Sequence, residues 1–268
     1  PIAIFALPLA MLGARYDFPG KTLLSALLLV PLILPPFVGA IGMRHMLGRN
    51  GAVNSVLIDF GLIDTGIDFI GQGGFWAIVL IEALHLYPIL YLNASAALAN
   101  LDPALEEAAE NLGAGRWMRF RRITLPLIRP GLFAGATIVF IWSFTELGTP
   151  LMFEYHQVTP VQIFNGIKEM NNSAEPYALT AVMLLAAVAT YALGKLAFGG
   201  RAYAMYSKAS IQSSTQKLSP VKGLLAAIAF ITIIVIAARP HLGLIVTSFT
   251  PSGQWYQSPL PEAFTLSH

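Results

Sequence analysis

Among the ionisable side chains inside apolar segments of this 268-residue chain, three are candidates for function. Glu82 and His85 are one helical turn apart within residues 75–99, and Glu146 lies towards the end of residues 130–153. An ionisable group in a bilayer is costly, so it is expected to face a bundle interior or a water-filled path. We interpret the three as candidates for a translocation path. A polar contact between helices is the alternative for Glu82 and His85, and a solvated position near the membrane boundary is favoured for Glu146.

Signatures of catalysis are missing from the sequence. It has no cysteine, and neither the phosphate-binding pattern G-x-x-x-x-G-K-[ST] nor the zinc-binding pattern H-E-x-x-H occurs. Glu82 and His85 form E-x-x-H, a spacing used by di-iron bundles, but such a site needs a second copy and further glutamates. We therefore predict no catalytic residue, no resident metal and no cofactor.

The composition is that of a membrane protein. Hydrophobic residues make up 56% of the chain, charged residues 11%, and the mean hydropathy is +0.65. Soluble domains carry about 25% charged residues. The net charge of +2 gives no support for nucleic-acid binding. The sequence predicts an all-α, polytopic helical protein that spans a lipid bilayer.

Apolar runs long enough to cross a bilayer, about 20 residues, define the expected spans. They cover residues 22–43, 75–99, 130–153, 177–198 and 223–248, and residues 1–12 are interpreted as the end of a truncated span. Prolines are expected to interrupt two spans, at Pro31, Pro35 and Pro36 and at Arg239-Pro240. Residues 154–176 are predicted to be a polar loop, and residues 52–63 a short interfacial helix.

The long polar segment at residues 102–126 lies between two of these spans, and we call it the elbow. Asp102 is a suitable helix N-cap, Pro103 suits the first helical position, and Gly113 is placed to end the helix. Small and apolar residues recur at helical spacing on one face, namely Leu105, Ala108, Ala109 and Leu112. A second, short basic helix is expected to carry Arg116, Arg119, Arg121 and Arg122. The pattern predicts a helix–turn–helix with a face that another protein could bind.

The elbow resembles a known signature. Glu107-Ala108-Ala109 is followed at fixed spacing by Gly113, Ile123 and Leu125-Pro126, as in the EAA loop of binding-protein-dependent ABC importer permeases. The resemblance implies a cytoplasmic loop that docks into a groove on an ABC ATPase subunit. The coupling residues it implies are Glu107, Ala108, Ala109, Gly113, Arg116, Ile123, Leu125 and Pro126.

The same resemblance implies partners and a location. Two permease units would form the path, two ATPase subunits would bind the elbows and hydrolyse ATP, and a periplasmic solute-binding protein would deliver the solute. The expected location is the bacterial inner membrane. The distribution of basic residues agrees, because twelve of the sixteen fall in residues 13–21, 116–129 and 195–222, which lie on the elbow's side.

The order of spans suggests a second unit. Five spans, counted from the truncated first one to residues 177–198, surround one elbow. Together they resemble a type I permease core at residues 1–200, which is followed by a cytoplasmic linker at 201–220. Residues 221–268 then resemble the first span and outer tail of another unit, cut short, as in a fused ferric-iron-type permease. A single-unit permease with an extra terminal helix is the alternative.

The solute is left open by the sequence. Ferric iron is favoured on the fused-unit argument, and thiamine, phosphonate, polyamines and inorganic oxyanions remain alternatives. The rival function is a secondary transporter driven by an ion gradient, with Glu82, His85 and Glu146 as the coupling groups.

Overall fold

The fold is taken from a computed structural model, which describes residues 1–33, 35–70, 74–169, 174–198, 215–250 and 264–265. These residues form twelve α-helices and two short strands. The helices are α1 (Ile2–Arg15), α2 (Lys21–Leu27), α3 (Pro36–Leu47), α4 (Ala52–Asp59), α5 (Phe75–Ala99), α6 (Pro103–Asn111), α7 (Arg116–Arg119), α8 (Leu125–Thr145), α9 (Gly148–Met152), α10 (Thr159–Lys168), α11 (Glu175–Phe198) and α12 (Pro220–Ser248). A 3₁₀ turn lies at Val30–Leu32, and a π-helical turn lies at Phe120–Thr124.

Four helical segments of the described chain are long and apolar enough to cross a membrane. They are Phe75–Ala99, Arg116–Met152, Glu175–Phe198 and Pro220–Val246. The pair formed by Lys21–Leu32 and Pro36–Asp59 adds a fifth if it is counted as one broken span. The all-α, polytopic fold class is therefore confirmed, and the 14 residues of α1 form a shorter apolar helix.

Of the two helix interruptions expected at prolines, one is present in the structure and the other is absent. The interruption expected around Pro35 and Pro36 is confirmed, because α2 ends at Leu27 and α3 begins only at Pro36. The interruption expected at Arg239-Pro240 is wrong, since α12 continues through Pro240. A spanning helix tolerates proline where neighbouring helices cover the freed backbone. Gly42 of α3 approaches Pro240 so closely that a Cβ there would collide with the Pro240 carbonyl oxygen.

Two other boundaries also differ from the expectation. The loop expected at residues 154–176 contains α10, whose first turn holds Pro160 and whose Val161 is fully buried. The span expected at residues 130–153 starts earlier in the structure, at Arg116. The π turn joins α7 to α8 without a break, so the basic residues do not form a separate helix, and α8 ends at Thr145 before the short α9.

Contacts divide the chain into two units. The first comprises residues 1–29, 86–144 and 181–233. Here α8 packs on α5 through Gly131 and Gly135, where an added Cβ would lie 2.7 Å from the Ala97 Cβ and 2.9 Å from the Asn93 Cβ. The small-xxx-small spacing of this glycine pair in the sequence predicts close helix packing, and the structure confirms it. The strands β1 (Tyr16–Asp17) and β2 (Gln216–Lys217) pair in parallel in the same unit.

The second unit comprises residues 30–85, 145–180 and 234–268. Its core includes Ala40 and Met43 of α3 and Ile81 of α5, all buried. Arg44 donates hydrogen bonds to the Met152 carbonyl oxygen at 3.1 Å and to Glu154 at 3.0 Å. Most of the predicted linker at 201–220 and of the predicted tail at 250–268 lies outside the described residues.

Candidate functional site

The elbow begins as its sequence predicts. The Asp102 side chain accepts a hydrogen bond from the Ala104 N–H at 2.9 Å, and Pro103 occupies the first helical position of α6. The cap satisfies one of the N–H groups that a helix start leaves without an internal partner. The direction in which α6 leaves α5 is therefore determined locally, by two adjacent residues.

The end of α6 is a glycine-dependent turn. Gly113 has φ +82°, in the left-handed region. The Gly113 N–H donates to the Glu110 carbonyl at 2.9 Å, and the Ala114 N–H donates to the Ala109 carbonyl at 2.9 Å. These two bonds make a Schellman motif. The turn sets the angle at which α7 follows α6, so the prediction that Gly113 ends this helix is confirmed.

The outer surface of the elbow is apolar although the segment is polar overall. Leu105 is 48% exposed and Leu112 is 88% exposed, with Ala108 exposed between them. Trp117 and Met118 of α7 are exposed as well, 70% and 49%, and extend the apolar surface beyond the predicted face. We call these five residues the elbow patch. Exposed apolar clusters on a polar segment mark sites of protein interaction.

The other coupling residues that the resemblance implies differ in how exposed they are. Glu107, Gly113 and Arg116 are exposed, while Ala109 is half-buried. Ile123, Leu125 and Pro126 are half-buried where the π turn leads into α8. The structure therefore divides the signature into an exposed part on α6 and α7 and a packed part at the base of the spanning helix.

The inner side of the elbow is polar and bonded. Glu106 forms an ion pair with Arg15, the last residue of α1. Arg15 also donates to the Thr124 hydroxyl at 3.0 Å, and that hydroxyl donates to Glu106 at 2.5 Å. A second ion pair joins Glu110 to Arg119 of α7 at 2.5 Å. A cavity of about 150 Å³ lies between these side chains, and Asp102 and Glu107 also line it.

The ionisable candidates inside the spans lie in the second unit and are largely buried. Glu82 is 5% exposed and His85 is 4% exposed. Glu146 and Thr149 lie near the Glu82 side chain, and His241 of α12 lies near His85. The structure therefore places Glu146 near Glu82, as part of a group of buried polar side chains in this unit that we call the polar cluster.

Glu146 has a more local role than its sequence position suggests. It lies between α8 and α9, is half-buried, and accepts a hydrogen bond from the Thr149 N–H at 3.1 Å. A carboxylate there satisfies the start of α9 in the manner of a helix cap. The expectation that Glu146 is solvated stays a prediction, because the residue is half-buried.

Sequence reasoning missed several of these residues. Thr149 and His241 are both buried, but each lies far from Glu82 in sequence. His241 also directly follows Arg239-Pro240, where a helix interruption was expected. No group of three or more histidine or acidic side chains suited to a metal occurs among the residues that the structure describes. The cluster is therefore treated as a set of proton-bearing and hydrogen-bonding groups.

Comparison with known proteins gives a consistent family. Residues 6–201 match the family described as binding-protein-dependent transport system inner membrane component. The chain is 37% identical over 154 residues to the molybdenum transport system permease protein ModB of Escherichia coli, covering 56% of this chain and 65% of that protein. It is 32% identical over 190 residues to the sulfate transport system permease protein CysT of Escherichia coli, covering 69% and 66%.

A third relative aligns over more of the chain. The putative ferric transport system permease protein FbpB 1 of Haemophilus influenzae is 30% identical over 219 residues, which are 80% of this chain and 33% of that protein. The chain thus spans about two thirds or less of the length of these relatives. A solved bacterial ABC transporter that imports alginate has the same fold, with a TM-score of 0.57 at 20% identity over 74% of this chain and 72% of that one.

Proposed function

Because the chain belongs to the family of binding-protein-dependent transport system inner membrane components, we propose that it is the permease subunit of a bacterial ABC importer. Its relatives are permease subunits of transport systems rather than enzymes. The multi-pass membrane location follows from the family and from the apolar spans. ATP hydrolysis is assigned to separate subunits, because the sequence contains no phosphate-binding loop of the G-x-x-x-x-G-K-[ST] type.

The observation that carries this proposal is the elbow patch. A short helix with exposed leucines and a small residue between them is suited to insertion into a groove on another protein. Ala108 is small, so a groove wall can approach the α6 backbone there. Glu107 lies beside the patch and is exposed, so it can pair with a basic group of the ATPase subunit.

The mechanism is alternating access. When the ATPase subunits close on ATP, they move the docked elbows, and the spans rearrange to open the path on the opposite side of the membrane. The elbow suits this role because both of its ends are defined, by the Asp102 cap and by the Gly113 turn. A segment that bends freely would absorb the motion instead of passing it on.

Glu82, His85 and Glu146 are our candidates for the translocation path. A nearly buried carboxylate in a spanning helix is costly to retain, and such groups are usually functional. Their burial means that they meet the solute only after the spans rearrange. The polar cluster then contributes hydrogen-bonding and charged groups at one stage of the cycle.

The periplasmic binding protein and the second permease unit are proposed from the family and from similar proteins. One of the solved alginate transporters was determined in complex with a periplasmic protein that carries an alginate pentasaccharide. We propose an equivalent periplasmic binding protein for this chain, together with a second permease unit. The ferric relative is much longer than the matched region, which is 33% of it, and that residues 221–268 begin a fused second unit stays our hypothesis.

The identity of the transported solute is the most specific part of the proposal. Relatives for molybdate, sulfate and ferric iron have similar identity to this chain, between 30% and 37%, so similarity does not favour iron over the oxyanions. Ferric iron is our first choice on the hypothesis of a fused second unit alone.

The proposal is tested by reconstituting the permease with its ATPase and binding-protein partners in liposomes. Uptake of labelled ferric iron, molybdate and sulfate is measured with ATP supplied to the ATPase side and with all ion gradients collapsed. We expect one of the three to accumulate only with ATP. Uptake that requires a proton or sodium gradient and ignores ATP would instead support the secondary transporter, with Glu82, His85 and Glu146 as couplers.

A further inference from the structure

Three side chains at the inner side of the elbow form a closed triangle. Arg15 pairs with Glu106, Arg15 donates to the Thr124 hydroxyl at 3.0 Å, and that hydroxyl donates to Glu106 at 2.5 Å. We call this group the Arg15 clamp. Each member contacts both of the others, so moving any one of them strains two contacts.

The members of the clamp come from three different segments. Arg15 is the last residue of α1, Glu106 lies in the first turn of α6, and Thr124 ends the π turn that precedes α8. Arg15 ends the apolar helix α1 and Thr124 precedes the apolar helix α8, whereas Glu106 belongs to the elbow helix. A π turn is a frequent feature of functional sites in helices. The clamp thus links the elbow helix directly to the ends of α1 and α8.

The surroundings make these contacts stronger than ordinary surface pairs. Thr124 is fully buried, and the side chains of Arg15 and Glu106 are only 32% and 25% exposed. Exposed ion pairs contribute little. A partly enclosed pair that shares a third hydrogen-bonding group is charge-assisted and geometrically fixed. The clamp can therefore transmit a force that a solvated pair could not.

Neighbouring glutamates of α6 have different roles. Consecutive residues on a helix point about 100° apart, so Glu106 and Glu107 differ in their surroundings although both line the inner cavity. Glu106 is bonded inward within the clamp, whereas Glu107 is exposed beside the elbow patch. One helix therefore has a face for the spans and a face for a partner.

We propose that the Arg15 clamp is the link that carries movement of the elbow into α1 and α8. Its members are positioning residues, which act through the helices they join and not by touching solute or ATP. The inference rests on the proposed function, because it assumes that an ATPase subunit moves the elbow. It assigns to Arg15, Glu106 and Thr124 a role that lies outside the EAA-type signature itself.

The test uses the permease assembled with its ATPase subunits in lipid nanodiscs. The chain has no cysteine, so Ser143→Cys, near the far end of α8, gives a single label site on it. The rate at which a water-soluble maleimide labels this site is measured with and without ATP. ATPase retention and ATP hydrolysis are recorded on the same samples, because a merely structural role would alter those two quantities.

Arg15→Gln, Glu106→Gln and Thr124→Val are expected to retain the ATPase and to hydrolyse ATP. The ATP-dependent change in labelling rate should fall about tenfold, as expected when a charge-assisted hydrogen bond is lost from one of two linked states. Thr124→Ser should restore it, because the hydroxyl is kept. Glu154→Gln, which breaks the exposed ion pair with Arg44, is the matched control and should behave as wild type.

Two results would overturn the inference. An undiminished ATP-dependent change in all three clamp variants would show that movement reaches α8 by another route. Loss of ATPase retention in Thr124→Val but not in Thr124→Ser would make the clamp a structural support of the docking face. If the wild-type chain itself retains no ATPase, the proposed function fails and the role of the clamp fails with it.

Discussion

Gly113→Ala isolates the conformational role of the elbow turn. At φ +82° a residue with a Cβ is strained, and nothing lies within 4 Å of the position that the Cβ would occupy. Crowding therefore contributes nothing, and the cost is that of the left-handed conformation, about 1–2 kcal/mol for an ordinary residue. A free-energy change of about 1.4 kcal/mol corresponds to a tenfold change in an equilibrium constant, so the population of the docking-competent turn should fall about 5- to 30-fold.

The assay is the affinity of the ATPase subunit for the permease in lipid nanodiscs. Gly113→Ala should weaken this affinity by the same factor, while membrane insertion stays normal, since the spans do not depend on this turn. Gly113→Asn is the matched control. Asparagine tolerates the left-handed region far better than alanine, so its affinity should lie much nearer to wild type.

Two outcomes would refute this reasoning. If Gly113→Ala binds the ATPase as tightly as wild type, the turn geometry does not control docking. If Gly113→Asn is impaired as strongly as Gly113→Ala, the loss is caused by the presence of any side chain and not by backbone strain.

Two further predictions concern the polar cluster and the orientation of the chain. Glu82→Gln should lower uptake per permease molecule at unchanged membrane level, because it removes a buried ionisable group and keeps the shape; a lower protein level with normal uptake per molecule would make Glu82 a packing residue. Arg119→Cys should react slowly with a membrane-impermeant maleimide added to intact cells, and Glu169→Cys should react rapidly, because the elbow is expected in the cytoplasm and α10 in the periplasm; the reverse pattern would contradict the orientation.

Local signals were read correctly from the sequence. The Asp102 cap, the start at Pro103 and the turn at Gly113 each depend on residues within one or two helical turns. The spans were recognisable because a bilayer requires long apolar runs. The Gly131 and Gly135 pair also succeeded, since its spacing places both residues on one face.

Errors arose where distant residues decide the outcome. Pro240 fits inside α12 although proline usually ends a helix, and α3 packs closely against it there. The clamp could not be found from the sequence, because Arg15 and Glu106 are 91 residues apart. Thr149 is likewise 67 positions from Glu82 in the printed sequence. Pairings of this kind depend on tertiary packing, which a single sequence does not show.

The central claim is that the elbow docks an ATPase subunit, and the most direct measurement is retention of that subunit by affinity-purified permease variants. Ala108→Trp should block the groove by bulk, and Glu107→Lys should repel a basic partner, so both should lose the ATPase while inserting normally. Ala134→Trp, at an exposed alanine of α8, is the control and should retain it. Full retention by both elbow variants would contradict the account.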